Sequence, residues 1–171
     1  MIQDQNTITL MTQNGYHEEY LLDPSDAGLV LPGSIVSFKS PNVATSQAVD
    51  LAAVEPLIVK ENALLGGSIN RPSMRGNVIL LHRGVSGDRY LLRAVAGTYR
   101  ISEPLYLVQT ANGIYLTNVA NNAQRPFAYS LEDFTISAAI VDLKDESSTD
   151  GFGKNEVPNG GLVNLLQVRL A

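Results

Sequence analysis

The sequence predicts an all-β fold, a small barrel or sandwich of short antiparallel strands with at most one or two short helices. Three observations lead there. Apolar runs are short and rich in Val, Ile, Leu and Tyr. Gly, Pro and Asn punctuate them at close intervals. Asn-Gly and Gly-Asp dipeptides separate pairs of apolar runs, as hairpin turns require.

The strand candidates, in order, are Ile8–Met11, Tyr16–Leu22, Ser34–Phe38, Leu57–Lys60, Val78–Val85, Arg89–Val95, Leu105–Gln109, Ile114–Val119, Thr135–Leu143 and Leu162–Leu170. Asn112-Gly113 predicts a type I′ turn joining the seventh and eighth, because both residues tolerate positive φ. Gly87-Asp88 predicts a second hairpin, joining 78–85 to 89–95, and Asn14-Gly15 a third. Helix is scarce. Ser46–Val54 could make two turns before Pro56, although Val49, Leu51 and Ala53 also alternate as a strand would. Ser130–Phe134 resembles a single capped turn. Val78–Leu81 and Tyr90–Leu92 are apolar on both faces, so each is covered on both sides by the chain itself or by a partner. The resulting layout is an N-terminal arm over 1–12, a β domain over 13–145, a flexible acidic and Gly-rich loop over 146–161, and a C-terminal strand over 162–171 that returns to the domain.

At 171 residues the chain fits one domain. Only 17% of residues are charged, and 13 Asn and 7 Gln fill part of the gap. The net charge of -5 argues against a general nucleic-acid binder. With no Cys, thiol catalysis and thiolate metal sites are excluded. No stretch is long and apolar enough for a membrane span, and no basic-then-apolar leader precedes the first strand. Synthesis in the cytoplasm is the expectation.

Charge is segregated along the chain. Residues 1–62 carry -6, residues 63–101 carry +5 and residues 102–171 carry -4. The central segment holds Arg71, Arg75, Arg83, Arg89, Arg93 and Arg100, with no Lys. Arg suits bidentate, weakly hydrated contacts with carboxylates. These six residues are the candidate partner interface, with charge pairing inside the domain as the plainer reading. If strands 78–85 and 89–95 pair, Arg83 and Arg93 lie near one another.

Catalytic and metal signals are weak. His82 would need a nucleophile and an orienting carboxylate; Ser86 and Asp88 are close in sequence, but a tight turn projects them away from the strand centre. His17-Glu18-Glu19 is half of a carboxylate–imidazole ligand set and reads more simply as a solvated strand. Asp142, Asp145, Glu146 and Asp150 lack the spacing of a calcium loop. No cofactor, no metal and no enzyme activity are expected.

Five stretches carry a family resemblance: Glu55-Pro56-Leu57-Ile58-Val59, Gly66-Gly67-Ser68-Ile69, Gly76-Asn77-Val78-Ile79-Leu80-Leu81-His82-Arg83, Asp88-Arg89-Tyr90-Leu91-Leu92-Arg93-Ala94 and Glu103-Pro104-Leu105-Tyr106-Leu107-Val108. Over about residues 30–120 the chain resembles the head decoration (cement) proteins of tailed bacteriophages. The resemblance implies a β-rich virion protein, a homo-oligomer with a trimer favoured, that binds the major capsid protein on the outer capsid surface and reinforces the head. It brings no catalytic residues. The alternative is a carbohydrate- or protein-binding β module in host recognition or the tail, with a groove lined by some of the tyrosines.

Overall fold

A computed structural model describes residues 8–13, 17–28, 30–61, 73–111, 113–121, 123–136 and 165–171. It is nearly all β, as the sequence predicts. The strands are Thr9–Met11 (β1), His17–Leu22 (β2), Ile35–Ser40 (β3), Val43–Thr45 (β4), Leu57–Val59 (β5), Val78–Arg83 (β6), Arg89–Arg93 (β7), Gly97–Tyr99 (β8), Pro104–Thr110 (β9), Gly113–Thr117 (β10), Ala128–Ser130 (β11), Phe134–Ile136 (β12) and Leu165–Leu170 (β13). Among the described residues the only helix is a 3-10 turn at Leu51–Ala53, capped by the Asp50 side chain. It replaces the longer helix considered over 46–54. Ser130–Phe134 is not helical: the Ser130 hydroxyl donates to the Glu132 carbonyl between β11 and β12.

Five strands close a small barrel. Their order is β3-β4-β2-β6-β5, and β5 pairs back onto β3. All these pairings are antiparallel except β2 with β4. Alternation along each strand sends one set of side chains inward. Leu22, Val36, Ala44, Leu57, Val59, Ile79 and Leu81 form that core with Val30.

Six further strands make a curled sheet, β1-β7-β13-β11-β9-β10, joined to the barrel where Ile114 of β10 pairs Ile35 of β3, and β8 and β12 pair with each other in a separate two-stranded sheet. Its two sides meet at a single parallel bridge, Ala94 to Leu116, with Val95 N–H donating to the Leu116 carbonyl at 2.9 Å. The barrel and the sheet share a wall. Ile35 and Ile58 point out of the barrel and into the sheet core, beside Tyr90, Leu92, Leu105, Ile114, Leu166 and Val168. Their neighbours Val36, Leu57 and Val59 point into the barrel. Gly33 sits at the join with φ 83°, and a Cβ there would lie 2.8 Å from the Leu91 carbonyl oxygen. Only glycine fits that approach.

Three expectations are corrected. Strands 78–83 and 89–93 do not form a hairpin: β6 pairs β2 and β5, whereas β7 pairs β1 and β13. The turn itself exists, with Asp88 N–H donating to the Val85 carbonyl at 3.1 Å. Gly87 alone has positive φ, at 93°, the pattern of a type II turn, whose twist splays the strands it joins. The β9–β10 hairpin does form, but Gly113 pairs Thr110, so the two-residue loop is 111–112 and Gly113 opens β10. Asn112 lies outside the described residues, as do Asn14-Gly15 and the loop 146–161. Finally, an arm over 1–12 cannot include its last residues. Ile8 is fully buried in the sheet core and Thr9–Met11 pair with β7. The C-terminal strand lies inside the sheet, between β7 and β11.

Candidate docking surface

The curled sheet presents one exposed row across its strands. Met11 of β1 pairs Arg89 of β7, Arg89 pairs Arg169 of β13, and Arg169 pairs Tyr129 of β11. Directly opposed residues of a regular ladder project from the same face of a sheet, as Arg89, Arg169 and Tyr129 do. The β1 register shifts between Thr9 and Met11, and it is its exposure that places Met11 at the end of the row. Met11, Arg89 and Arg169 are exposed, Met11 at 47%. The adjacent residues on the strands, Tyr90, Val168 and Ser130, are buried on the other face. The Arg169 guanidinium stands 5.8 Å from the Tyr129 ring centroid, within cation–π range. Neither Arg89 nor Arg169 makes an ion pair among the described residues.

The other central arginines are dispersed. Arg75 is exposed in the turn before β6, and Arg100 is exposed just after β8. Arg71 lies outside the described residues. Arg93 is on no surface: it is 1% exposed, its Nε–H donates to the Pro32 carbonyl at 2.9 Å, and burial lowers its pKa to about 10. Arg83 belongs to the barrel and Arg93 to the sheet, so the two are not brought together as a hairpin would bring them. Clustering in sequence therefore does not become one patch. The row instead recruits Arg169 and Tyr129 from outside the basic segment. Sequence reading missed both because only the non-local register aligns them with Arg89.

Arg83 sits in the mouth of the barrel. On β6 it follows inward-facing Ile79 and Leu81, so it too points inward, at the open end. Its Nε donates to Glu18 at 3.1 Å, its Nη2 to Glu18 at 3.3 Å and its Nη1 to Glu55. The guanidinium holds the Glu18 carboxyl below its ordinary pKa, helped by a 2.5 Å hydrogen bond from the Tyr20 hydroxyl. Tyr20 and Phe38 pack beside it with their rings tilted by 51° and centroids 5.1 Å apart, and the Arg83 guanidinium lies 5.8 Å from the Phe38 centroid. These residues line an open groove of about 500 Å³ with Lys39, Ser40 and Asn42.

A buried polar seam joins β1 to the turn at 85–88. Asp88 is fully buried rather than projecting away. It accepts from Gln13 N–H at 2.8 Å, Val85 N–H at 3.1 Å, the Tyr90 hydroxyl at 3.1 Å and the Thr12 hydroxyl at 3.3 Å. The Tyr90 hydroxyl also contacts His82 Nδ1, so it stands between the carboxylate and the imidazole. Burial raises the Tyr90 pKa, with the Asp88 charge adding to it. Ser86 is exposed in the turn, outside this chain of bonds. His17 and His82 are register partners, with ring centroids 5.6 Å apart. No group of three or more metal-ligating side chains gathers among the described residues. No helix among them is long and apolar enough to cross a membrane.

No protein-family model matches the chain, and no curated protein matches it significantly.

Proposed function

We propose that this protein is a structural virion protein, a capsid decoration protein that binds the outer surface of the head and stabilises it. The observation that carries the reading is the direct opposition of Arg89 and Arg169 in an exposed row, with no carboxylate partner among the described residues. Like charges opposite each other weaken a sheet. A partner's carboxylates would turn that cost into binding energy. Met11 and Tyr129 flank the pair, and exposed Arg with aromatic and Met neighbours is the composition of protein interfaces. The proposed occupant is an acidic face of the major capsid protein. Binding only the assembled shell would stabilise it by mass action. A homotrimer would repeat the row three times and multiply its effect on a lattice.

The test is co-sedimentation of the purified chain with expanded phage heads. Arg89→Glu with Arg169→Glu should cut the bound fraction by about tenfold or more, each lost charge contact being worth on the order of 1 kcal/mol. Arg75→Glu, away from the row, should bind as the parent does. The reading fails if the double variant, folded by circular dichroism, co-sediments unchanged. It fails equally if the parent ignores heads and binds duplex DNA.

A further inference from the structure

We propose that the mouth of the closed barrel is a binding site for a neutral saccharide, with Phe38 as its stacking face. The inference uses residues separate from the docking row and does not rest on it. Barrel mouths are recurrent ligand sites, because inward-facing side chains converge there without being covered. In this barrel the aliphatic core stops at Leu22, Val36 and Leu81, and the next inward layer is Tyr20, Phe38 and Arg83. Phe38 lines the groove and remains 38% exposed with the Arg83 guanidinium over its ring and Tyr20 tilted against it, so the part of the ring that these two leave open is apolar surface in the groove.

The polar groups around that ring decide the ligand class. Both cations in the groove are already neutralised: Arg83 by Glu18 and Glu55, and Lys39 by Asp23 at 2.5 Å. An anion would have to compete with Glu18, Glu55 or Asp23 for a cation that each already pairs. A neutral polyol meets no such cost. Arg83 uses three of its five N–H donors on the glutamates, which lock the guanidinium plane and leave two. The Ser40 hydroxyl and the Asn42 amide line the groove and engage no partner among the described residues. Asn42 is held in place by its backbone: φ is 68° and its carbonyl accepts from Leu21 N–H at 3.0 Å. Apolar ring surface rimmed by donors and acceptors matches a pyranose, which has a C–H face and a hydroxyl edge.

Saturation-transfer NMR on the full chain tests this, using the methyl pyranosides of glucose, galactose, mannose and N-acetylglucosamine. At least one should receive saturation, strongest on its ring C–H protons, with a dissociation constant on the order of millimolar. Phe38→Ala should weaken that binding about tenfold or more. Asn42→Gly, which keeps the left-handed backbone and removes the amide, should weaken it as well. The Arg89→Glu/Arg169→Glu protein should bind the sugar as the parent does. The proposal is overturned if none of the four sugars receives saturation, if both groove variants bind like the parent, or if methyl glucuronide is preferred to the neutral sugars.

Discussion

The closed barrel joins five strands in a ring of continuous pairing, whereas the curled sheet meets itself at one parallel bridge, Ala94 to Leu116. A ring has no edge to offer. Among the described residues the curled sheet keeps one at β1, and its three-residue length limits that edge as a template for strand addition. The barrel core is aliphatic and is built from residues 22–81, which are contiguous in sequence. The sheet core includes Tyr90 and Tyr99 and draws on both ends of the chain, from Ile8 to Leu170. The barrel is thus an insertion between β1 and β7, and the sheet can complete itself only when both termini arrive. The difference separates two kinds of surface. The ring ends in a concave mouth suited to a small ligand. The sheet presents an exposed row suited to a macromolecular partner.

The largest expected effect comes from breaking the wall that the two share. Ile58→Ala should cost about 2–5 kcal/mol, since Ile58 is fully buried among residues of the sheet core. Denaturant unfolding followed by tyrosine near-ultraviolet dichroism and by far-ultraviolet dichroism should show the two signals shifting together. If the near-ultraviolet tyrosine signal kept its midpoint while the far-ultraviolet signal moved, the wall would not couple the two cores.

A smaller, pH-dependent effect belongs to the barrel alone. The Lys39 ammonium, with help from Ser25, lowers the Asp23 pKa from 3.8 to about 2. A carboxylate with a depressed folded-state pKa stabilises above its unfolded value, and that contribution is lost as pH falls through the folded one. Stability should therefore decline between about pH 4 and pH 2, and Lys39→Met should flatten that part of the profile. Thermal melts of both proteins over this range check it. Parallel profiles would show that the pair contributes nothing to acid sensitivity.

Much of this architecture is legible in the sequence, because strands of five or six residues carry their own pattern. Val78–Arg83 and Arg89–Arg93 are recognisable from their apolar runs, and their two apolar faces foretell cover on both sides. For Tyr90, Leu91 and Leu92 that cover is the sheet core itself. Val43–Thr45, Gly97–Tyr99 and Ala128–Ser130 escape notice because, unlike the equally short Leu57–Val59, they carry no run of large apolar residues and are too short to show alternation. The partner of each strand is a different matter. A Gly-Asp turn between two apolar runs suggests a hairpin, yet a type II turn at Gly87 sends the second run into another sheet. The docking row depends on that choice. Arg89 is marked by the basic segment, but Arg169 and Tyr129 join it only through pairings with β13 and β11. The barrel mouth is likewise assembled from Tyr20, Phe38 and Arg83 on three strands, and no local spacing connects them.

Hydroxyl-radical footprinting of the free and head-bound protein reads the central claim most directly. Met11 and Tyr129 lie in the row, while Met74, 57% exposed, and Phe38 lie outside it; all four side chains oxidise readily. Docking through the row predicts protection of Met11 and Tyr129 on heads, with Met74 and Phe38 as reactive as in the free protein. Protection of Met74 or Phe38 with Met11 and Tyr129 unchanged would contradict it.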